Sequence, residues 1–175
     1  GARLVVDNTF ASPVNQRPLE LGADIVVHSA TKYLGGHSDI TAGALMGSKE
    51  LLAPVWNWRK NLGQMLSPET ASLLARSLRT LVVRVERQNA TAQAVAGAMA
   101  KHTHVERVFY PGLPGFHGHS LAKRQMKGFG GMLSIEVKGG GAAATRAADR
   151  LKLFALAPSL GGAEKPTEQQ QDWVT

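Results

Sequence analysis

Cysteine is absent from the 175 residues of this chain. A disulfide framework, a thiolate metal site and a cysteine nucleophile are therefore excluded, and the absence fits a reducing, cytoplasmic compartment. Long apolar runs are also absent, because the longest are a few residues against the roughly 20 that cross a bilayer. We therefore expect no membrane partner. Aromatic residues make up only 6%, which leaves few stacking platforms for nucleic acid.

The charge of the chain is basic but not clustered. Lys and Arg number 20 against 13 Asp and Glu, a net charge of +7, which raises nucleic acid or an anionic ligand as a partner. The basic residues are scattered from Arg3 to Lys165 without a block of like charge. We therefore predict no nucleic-acid partner and favour a small ligand that carries phosphate. With 43% hydrophobic residues the chain can bury a globular core.

Three β-branched segments bounded by turn residues predict buried strands over residues 3–6, 24–28 and 41–46. Residues 16–21, between the first two, are short and amphipathic, which suits a helical or irregular crossover. Because parallel strands need a crossover connection, we predict an α/β layer with a partly parallel sheet.

Helical patterns follow from residue 51. We predict a helix over 51–62 and then a long helix opened by Ser67 as N-cap and Pro68 at its first position. The apolar residues of the long helix recur at helical spacing, and its arginines lie mostly on the opposite face. These arginines are Arg76, Arg79, Arg84 and Arg87. A solvated or subunit-contacting face is the favoured interpretation, and a ligand-binding stripe is the alternative.

Alternating strand and helix patterns return after residue 102. The predicted elements are strand 105–110, helix 120–126, strand 131–137, helix 142–152 and strand 153–157. We predict that they form a smaller α/β unit attached to the long helix. The predicted division of the chain is therefore 1–50, connecting helices over 51–102, and 103–175.

Lys32 follows the second predicted strand, between hydroxyl residues and a Gly35-Gly36 turn. A lysine that binds pyridoxal 5'-phosphate (PLP) needs such a place, because only a neutral, desolvated amine attacks the cofactor's aldehyde. The phosphate group needs hydroxyls and backbone N–H groups close by. Ser29 and Thr31 are placed to supply hydroxyls.

Asp7 ends the first predicted strand and is a candidate partner for the same cofactor. PLP withdraws electrons only while its pyridine nitrogen stays protonated, which requires a carboxylate beside it. About one strand–crossover–strand unit separates Asp7 from Lys32, so both should lie at the same edge of a parallel sheet. Singly, each residue is more often a surface or turn residue; their combination is what predicts a PLP site.

Three segments resemble one family. Val5–Pro13, Gly22–Asp39 and Ala157–Gly162 are similar to the PLP-dependent enzymes of Cys/Met metabolism, the group that includes cystathionine gamma-synthase and cystathionine gamma-lyase. The resemblance implies an α/β fold, the PLP-dependent transferase fold of aspartate aminotransferase (fold type I). It also implies gamma-replacement or gamma-elimination on homoserine esters or cystathionine, in a homotetramer that acts on a small amino-acid substrate.

The same resemblance implies a role for five residues. Lys32 would be the Schiff-base lysine and proton shuttle, and Asp7 would face the pyridinium nitrogen. Ser29 and Thr31 would bind the phosphate group. Ser159 matches a position near the substrate and the lysine. The Gly35–Asp39 segment resembles the cystathionine gamma enzymes more than O-acetylhomoserine sulfhydrylases, but synthase, gamma-lyase, beta-lyase and methionine gamma-lyase stay open.

The chain also departs from the family. It corresponds to the end of the large PLP-binding domain and part of the C-terminal small domain, so we expect a fragment. The glycine turn that cups the phosphate, the tyrosine that stacks on the ring and the residues of a neighbouring subunit would lie outside it. After Glu164 the family pattern is lost, and the arginine expected for the substrate carboxylate does not follow. An inactive remnant or an assembly module of the same fold is therefore an alternative.

Two other kinds of site are less favoured. Ser29-Ala-Thr-Lys32 is also a Ser-x-x-Lys string of serine acyl-transferases, but that chemistry requires a helix, which Gly35-Gly36 would stop early. Its partner motifs are missing too. The six histidines lack nearby carboxylates at metal-ligand spacing, so we predict no metal site and surface or loop positions for them. His37 is the exception, since it belongs to the Lys32 motif.

Overall fold

A computed structural model describes residues 1–152 and 159–162 of the chain. The first part is a three-stranded sheet with its crossover. Its elements are β1 (Val5–Asp7), α1 (Ser12–Asn15), a 3-10 helix (Pro18–Leu21), β2 (Ile25–Ser29) and β3 (Gly43–Gly47). β1 pairs with β2 in parallel and β2 pairs with β3 antiparallel. The predicted α/β layer with a partly parallel sheet is confirmed.

Three helices follow the first sheet: α2 (Lys49–Asn61), α3 (Pro68–Leu78) and α4 (Leu81–Met99). α2 begins slightly earlier than predicted, because the Ser48 side chain caps it by accepting the N–H of Leu51. Ser67 caps α3 in the same way through Thr70, as the sequence predicts. None of the helices in the described ranges is both long and apolar enough to cross a membrane.

The single long helix predicted after Ser67 is wrong, because the chain breaks between α3 and α4. The Ser77 carbonyl accepts the N–H and the hydroxyl of Thr80 at 3.2 and 3.1 Å. It also accepts a guanidinium N–H of Arg84 at 3.0 Å. These donors replace the regular i to i+4 helical bond at this carbonyl, and short polar side chains are known to compete with helical bonding in this way.

The last part of the described chain is a smaller unit of two antiparallel strands and two helices. Its elements are β4 (Val105–Phe109), α5 (His119–Gln125), β5 (Ser134–Val137) and α6 (Gly140–Ala148). Every predicted element over 103–152 is found with shifted bounds. β5 starts later than predicted, because residues 128–131 contact Asn15, Tyr33 and Asn89 instead of pairing with β4. The strand predicted over 153–157 lies outside the described residues.

Two hydrophobic cores lie along α4. The first contains Ala30, Tyr33, Leu34, Leu81 and Val85, and the second contains Ala92, Ala96 and Tyr110. The first half of α4 therefore packs on the residues around Lys32, and the second half packs on the smaller unit. A single helix thus contributes to the cores of both parts of the chain.

Two side-chain amides, one on α1 and one on α4, also connect the parts of the chain. The side chains of Asn15 and Asn89 exchange hydrogen bonds of 3.0 and 2.7 Å. The Asn89 oxygen also accepts the N–H of Gly130 at 3.1 Å, and the Asn15 carbonyl accepts the N–H of Lys127 at 2.7 Å. Polar groups of α1 and α4 therefore hold the segment that leads into β5 close to the first sheet.

Candidate active site

Residues 30–36 form a turn around Lys32, the lysine turn. Its backbone is buried, while the lysine side chain is not. After β2, the N–H of Gly35 donates to the Ala30 carbonyl and the N–H of Gly36 to the Lys32 carbonyl, each at 2.7 Å. Tyr33 and Leu34 are buried in the first core, whereas Lys32 is half-buried. The turn therefore anchors its apolar side chains inside and leaves the Lys32 amine at the surface of the sheet edge.

Ser159 lies next to that amine. The Lys32 Nζ donates to Ser159 Oγ at 3.0 Å, although 127 positions separate the two residues in sequence. Gly161 has a φ of +81°, and a Cβ there would lie 2.7 Å from the Tyr33 nitrogen. Only glycine allows this loop to approach the lysine turn so closely. The structure thus brings Ser159 to Lys32, and its role toward a substrate stays a prediction.

Asp7 is an exposed carboxylate at the end of β1. Its Oδ1 accepts the hydroxyl of Thr9 at 2.6 Å and the backbone N–H of Thr9 at 2.9 Å. These two hydrogen bonds hold the pKa of Asp7 below its ordinary value. Asp7 therefore stays ionised at neutral pH, as a partner for a protonated pyridine nitrogen must be.

The contribution of Thr9 is missing from the sequence predictions. Its hydroxyl donates to Asp7 and also accepts the backbone N–H of Ser29 at 2.8 Å, so it links the ends of β1 and β2. A hydroxyl residue two positions after an aspartate is typical of local turn bonding. That spacing is the signal that could have identified Thr9.

Ser29 and Thr31, the two predicted phosphate hydroxyls, differ in their surroundings. Asp7 pairs with Val27, so Ser29, two residues further along β2, lies on the same face of the sheet as Asp7. The Thr31 hydroxyl instead accepts the Ala42 N–H at 3.0 Å and lies 3.4 Å from the Ala42 carbonyl. Because a hydroxyl has only one proton, Thr31 would have to turn it away from Ala42 to donate to a phosphate.

The prediction of a surface or loop position is wrong for His28, which is 4% exposed on the covered face of β2. Its Nε2 has no hydrogen-bond partner within the described part of the chain. Burial lowers the pKa of His28, and the charge of Asp7 opposes this only partly. His28 is therefore neutral above mildly acidic pH. Its alternation with buried Val26 along the strand could have revealed its position.

His37 closes the lysine turn from the other side. Its Nδ1 lies 2.7 Å from the Gly35 carbonyl and 3.2 Å from Ser77 Oγ. His37 is thus close to the candidate site as predicted, but its bonds connect the turn to α3. Across residues 1–152 and 159–162, no cluster of three metal-ligating side chains is present.

The arrangement fits PLP. A half-buried lysine, an ionised carboxylate and a serine on the carboxylate's face of the sheet lie where the parallel strands end. An amine, a carboxylate and a hydroxyl are the kinds of group that the cofactor requires, and the role of each of these residues stays a prediction. The serine acyl-transferase alternative is wrong, because Ser29 is the last residue of β2 and does not share a helix with Lys32.

A model of the family described as Cys/Met metabolism PLP-dependent enzymes matches residues 1–171. The chain belongs to this family. It is 52% identical over 163 residues to an L-methionine gamma-lyase of Pseudomonas deceptionensis, with 92% of this chain and 41% of that protein covered. It is 47% identical over 169 residues to a chloroplastic cystathionine gamma-synthase of Arabidopsis thaliana, with 97% and 30% covered.

Solved structures agree with this assignment. A cystathionine gamma-synthase of Xanthomonas oryzae pv. oryzae in complex with cystathionine has a TM-score of 0.90 and 48% identity, with 94% of this chain and 43% of that chain covered. The predicted family, fold and cofactor are therefore confirmed. The chain spans less than half the length of each of these relatives.

Replacing His28 with glutamine should flatten the pH dependence of stability. The folded pKa of His28 is lowered from 6.5, so below that pH the unfolded chain binds more protons and stability falls as pH falls. The variant cannot titrate there. We expect a smaller loss of unfolding free energy between about pH 7.5 and about pH 5.5 than in the parent protein.

Urea unfolding of the full-length protein without cofactor measures this loss. His117→Gln is the matched control, because His117 is exposed and should leave the parental dependence unchanged. Equal losses in the parent and His28→Gln would contradict a lowered pKa for His28.

Proposed function

We propose that the full-length protein is a transsulfuration enzyme, which carries out gamma-replacement or gamma-elimination on a homoserine ester or on cystathionine. The observation that carries this proposal is the Lys32 amine, held 3.0 Å from Ser159 Oγ at the sheet edge where ionised Asp7 also lies. Its relatives by sequence and structure are enzymes of this kind.

Each of the site residues would have a separate role toward the cofactor. PLP, when bound, draws electrons away from the substrate's Cα, so that bonds at Cα and then at Cγ can break. Lys32 would hold the cofactor through its amine and afterwards accept and return protons. The hydrogen bond to Ser159 directs that amine. Asp7, whose pKa Thr9 lowers, would hold the proton on the ring nitrogen.

The phosphate group would lie near the ends of β2 and of the segment before β3. Ser29 is the first candidate donor, because its side chain shares the face of Asp7. Thr31 is the second, provided that its proton leaves the Ala42 carbonyl. We further propose the division of the chain into residues 1–50 of the PLP-binding domain, connecting helices over 51–102, and 103–175 of the smaller domain.

Lys32→Ala should abolish covalent cofactor binding. We expect the full-length protein to develop a visible absorption band with PLP and the variant to show only free cofactor, because alanine offers no amine. Lys49→Ala is the control, since Lys49 is exposed at the start of α2. Equal bands in Lys32→Ala and in the parent protein would reject the assignment of Lys32.

Turnover separates an enzyme from the alternative of an inactive remnant. We expect the full-length protein to convert O-succinylhomoserine and cysteine to cystathionine faster than it cleaves methionine or cystathionine. Cystathionine gamma-synthases are among the relatives of the chain both by sequence and by solved structure, which supports this order. Lys32→Ala should be inactive in every assay. Cleavage of methionine alone would favour a methionine gamma-lyase, and a bound cofactor without turnover would favour a remnant.

We propose that the full-length protein is a homotetramer that acts on a small amino acid, without nucleic acid or membrane partners. Trp56 and Trp58 of α2 are large apolar side chains exposed at 59% and 64%, and further protein could cover them. Sedimentation tests the assembly: a mass near four chains supports the tetramer, and a monomer contradicts it. A cytoplasmic location fits a chain without cysteine, while the chloroplastic relative shows that the family also occurs elsewhere.

A further inference from the structure

Arg84 lies on α4 behind the lysine turn. Among the four arginines predicted on one exposed face, Arg76, Arg79 and Arg87 are exposed and Arg84 is half-buried. Its Nη1 donates to the Tyr33 carbonyl at 2.9 Å, and its Nη2 donates to the Ser77 carbonyl at 3.0 Å. Its Nε donates to Thr80 Oγ1 at 3.0 Å. The favoured interpretation, a solvated or subunit-contacting face, is therefore wrong for Arg84, whose guanidinium binds oxygens of its own chain.

The same guanidinium lies on Gly36. Gly36 has a φ of +72°, and the first atoms that a Cβ there would meet belong to the Arg84 guanidinium. The N–H of Gly36 donates to the Lys32 carbonyl and closes the turn. Arg84 therefore contacts the residue that follows Lys32 and the residue that ends the turn, and it leaves no space for a side chain between them.

A counter-ion does not explain the position of Arg84. In the described ranges, the ion pairs join Arg3 to Asp24, Arg17 to Glu20 and Arg107 to Glu136. The three acceptors of Arg84 are neutral oxygens, and burial lowers its pKa. A planar guanidinium can bind several oxygens in fixed directions, which a lysine ammonium cannot do. Arg84 therefore fixes the positions of the oxygens it binds and does not neutralise a negative charge of the described residues.

We propose that Arg84 is a positioning residue, which fixes the direction of the Lys32 amine by holding the Tyr33 carbonyl and the backbone of Gly36. The inference rests on the proposed function, because it concerns the lysine that would hold PLP. Without the bond from Arg84 to the Tyr33 carbonyl, the peptide between Tyr33 and Leu34 can rotate, which shifts the turn and carries the Lys32 amine away from Ser159. A displacement near 1 Å at a reacting group lowers turnover by as much as about 100-fold.

The test compares Arg84→Ala and Arg84→Lys with Arg87→Ala in the full-length protein loaded with PLP. Arg87 lies on the same helix and is exposed. The informative signal is the visible circular dichroism of the bound cofactor divided by its absorbance. It reports how asymmetrically the lysine holds the cofactor, and it is independent of how much cofactor or folded protein is present.

We expect both Arg84 variants to lose this ratio by about twofold or more, because a site about 1 Å looser holds its groups poorly. We also expect kcat to fall about 10- to 100-fold with little change in KM. Arg87→Ala should match the parent protein. Added guanidinium ions should restore part of the signal in Arg84→Ala and none in Arg84→Lys, whose side chain still occupies the site.

A purely structural role gives a different result. It predicts a lower unfolding temperature with an unchanged dichroism ratio and unchanged kcat in the folded, loaded protein, and that outcome would overturn the proposal. If Arg84→Ala does not fold, Arg84→Lys decides by the same criterion. Absence of a visible band in the parent protein would instead reject the proposed function, so the two failures are distinguishable.

Discussion

The lysine turn has to bury its own backbone while leaving the amine at its centre accessible, and much of the described structure depends on this constraint. Tyr33 and Leu34 supply the burial, since they belong to the core formed with Leu81 and Val85 of α4. The turn's polar backbone groups must then find partners, because unpaired buried groups are costly. Its own bonds supply some of these partners, and Arg84 supplies another.

The turn is also the place where distant parts of the chain meet. Gly161 packs against the backbone of Lys32 and Tyr33, which brings Ser159 to the amine. The Tyr33 hydroxyl lies against the Gly131 backbone of the segment that leads into β5. The residue beside the lysine thus packs its buried side chain against the segment that leads into the smaller unit.

Electrostatics at the sheet edge follow from short local bonds. Thr9 lowers the pKa of Asp7 by donating twice to one of its oxygens, and the same hydroxyl accepts from the backbone of Ser29. His28 lies behind these groups in a place where burial keeps it neutral. A cationic histidine there would compete with a protonated cofactor for the charge of Asp7, so neutrality at this position suits the proposed role of the carboxylate.

Local sequence by itself determined the strands, the capped start of α3, the lysine after β2 and the aspartate at the end of β1. Each is encoded within a few neighbouring residues, as periodicity, a capping residue or a glycine turn. The resemblance to one family also came from such short segments.

The break between α3 and α4, the burial of His28 and the use of Arg84 were decided only by tertiary structure. The spacing of arginines along a helix is the same whether or not a carbonyl from another segment approaches them. That approach depends on how β2 and α4 pack, because a side chain's partner is set by burial and distance in space, and neither is written in the spacing of residues along the chain.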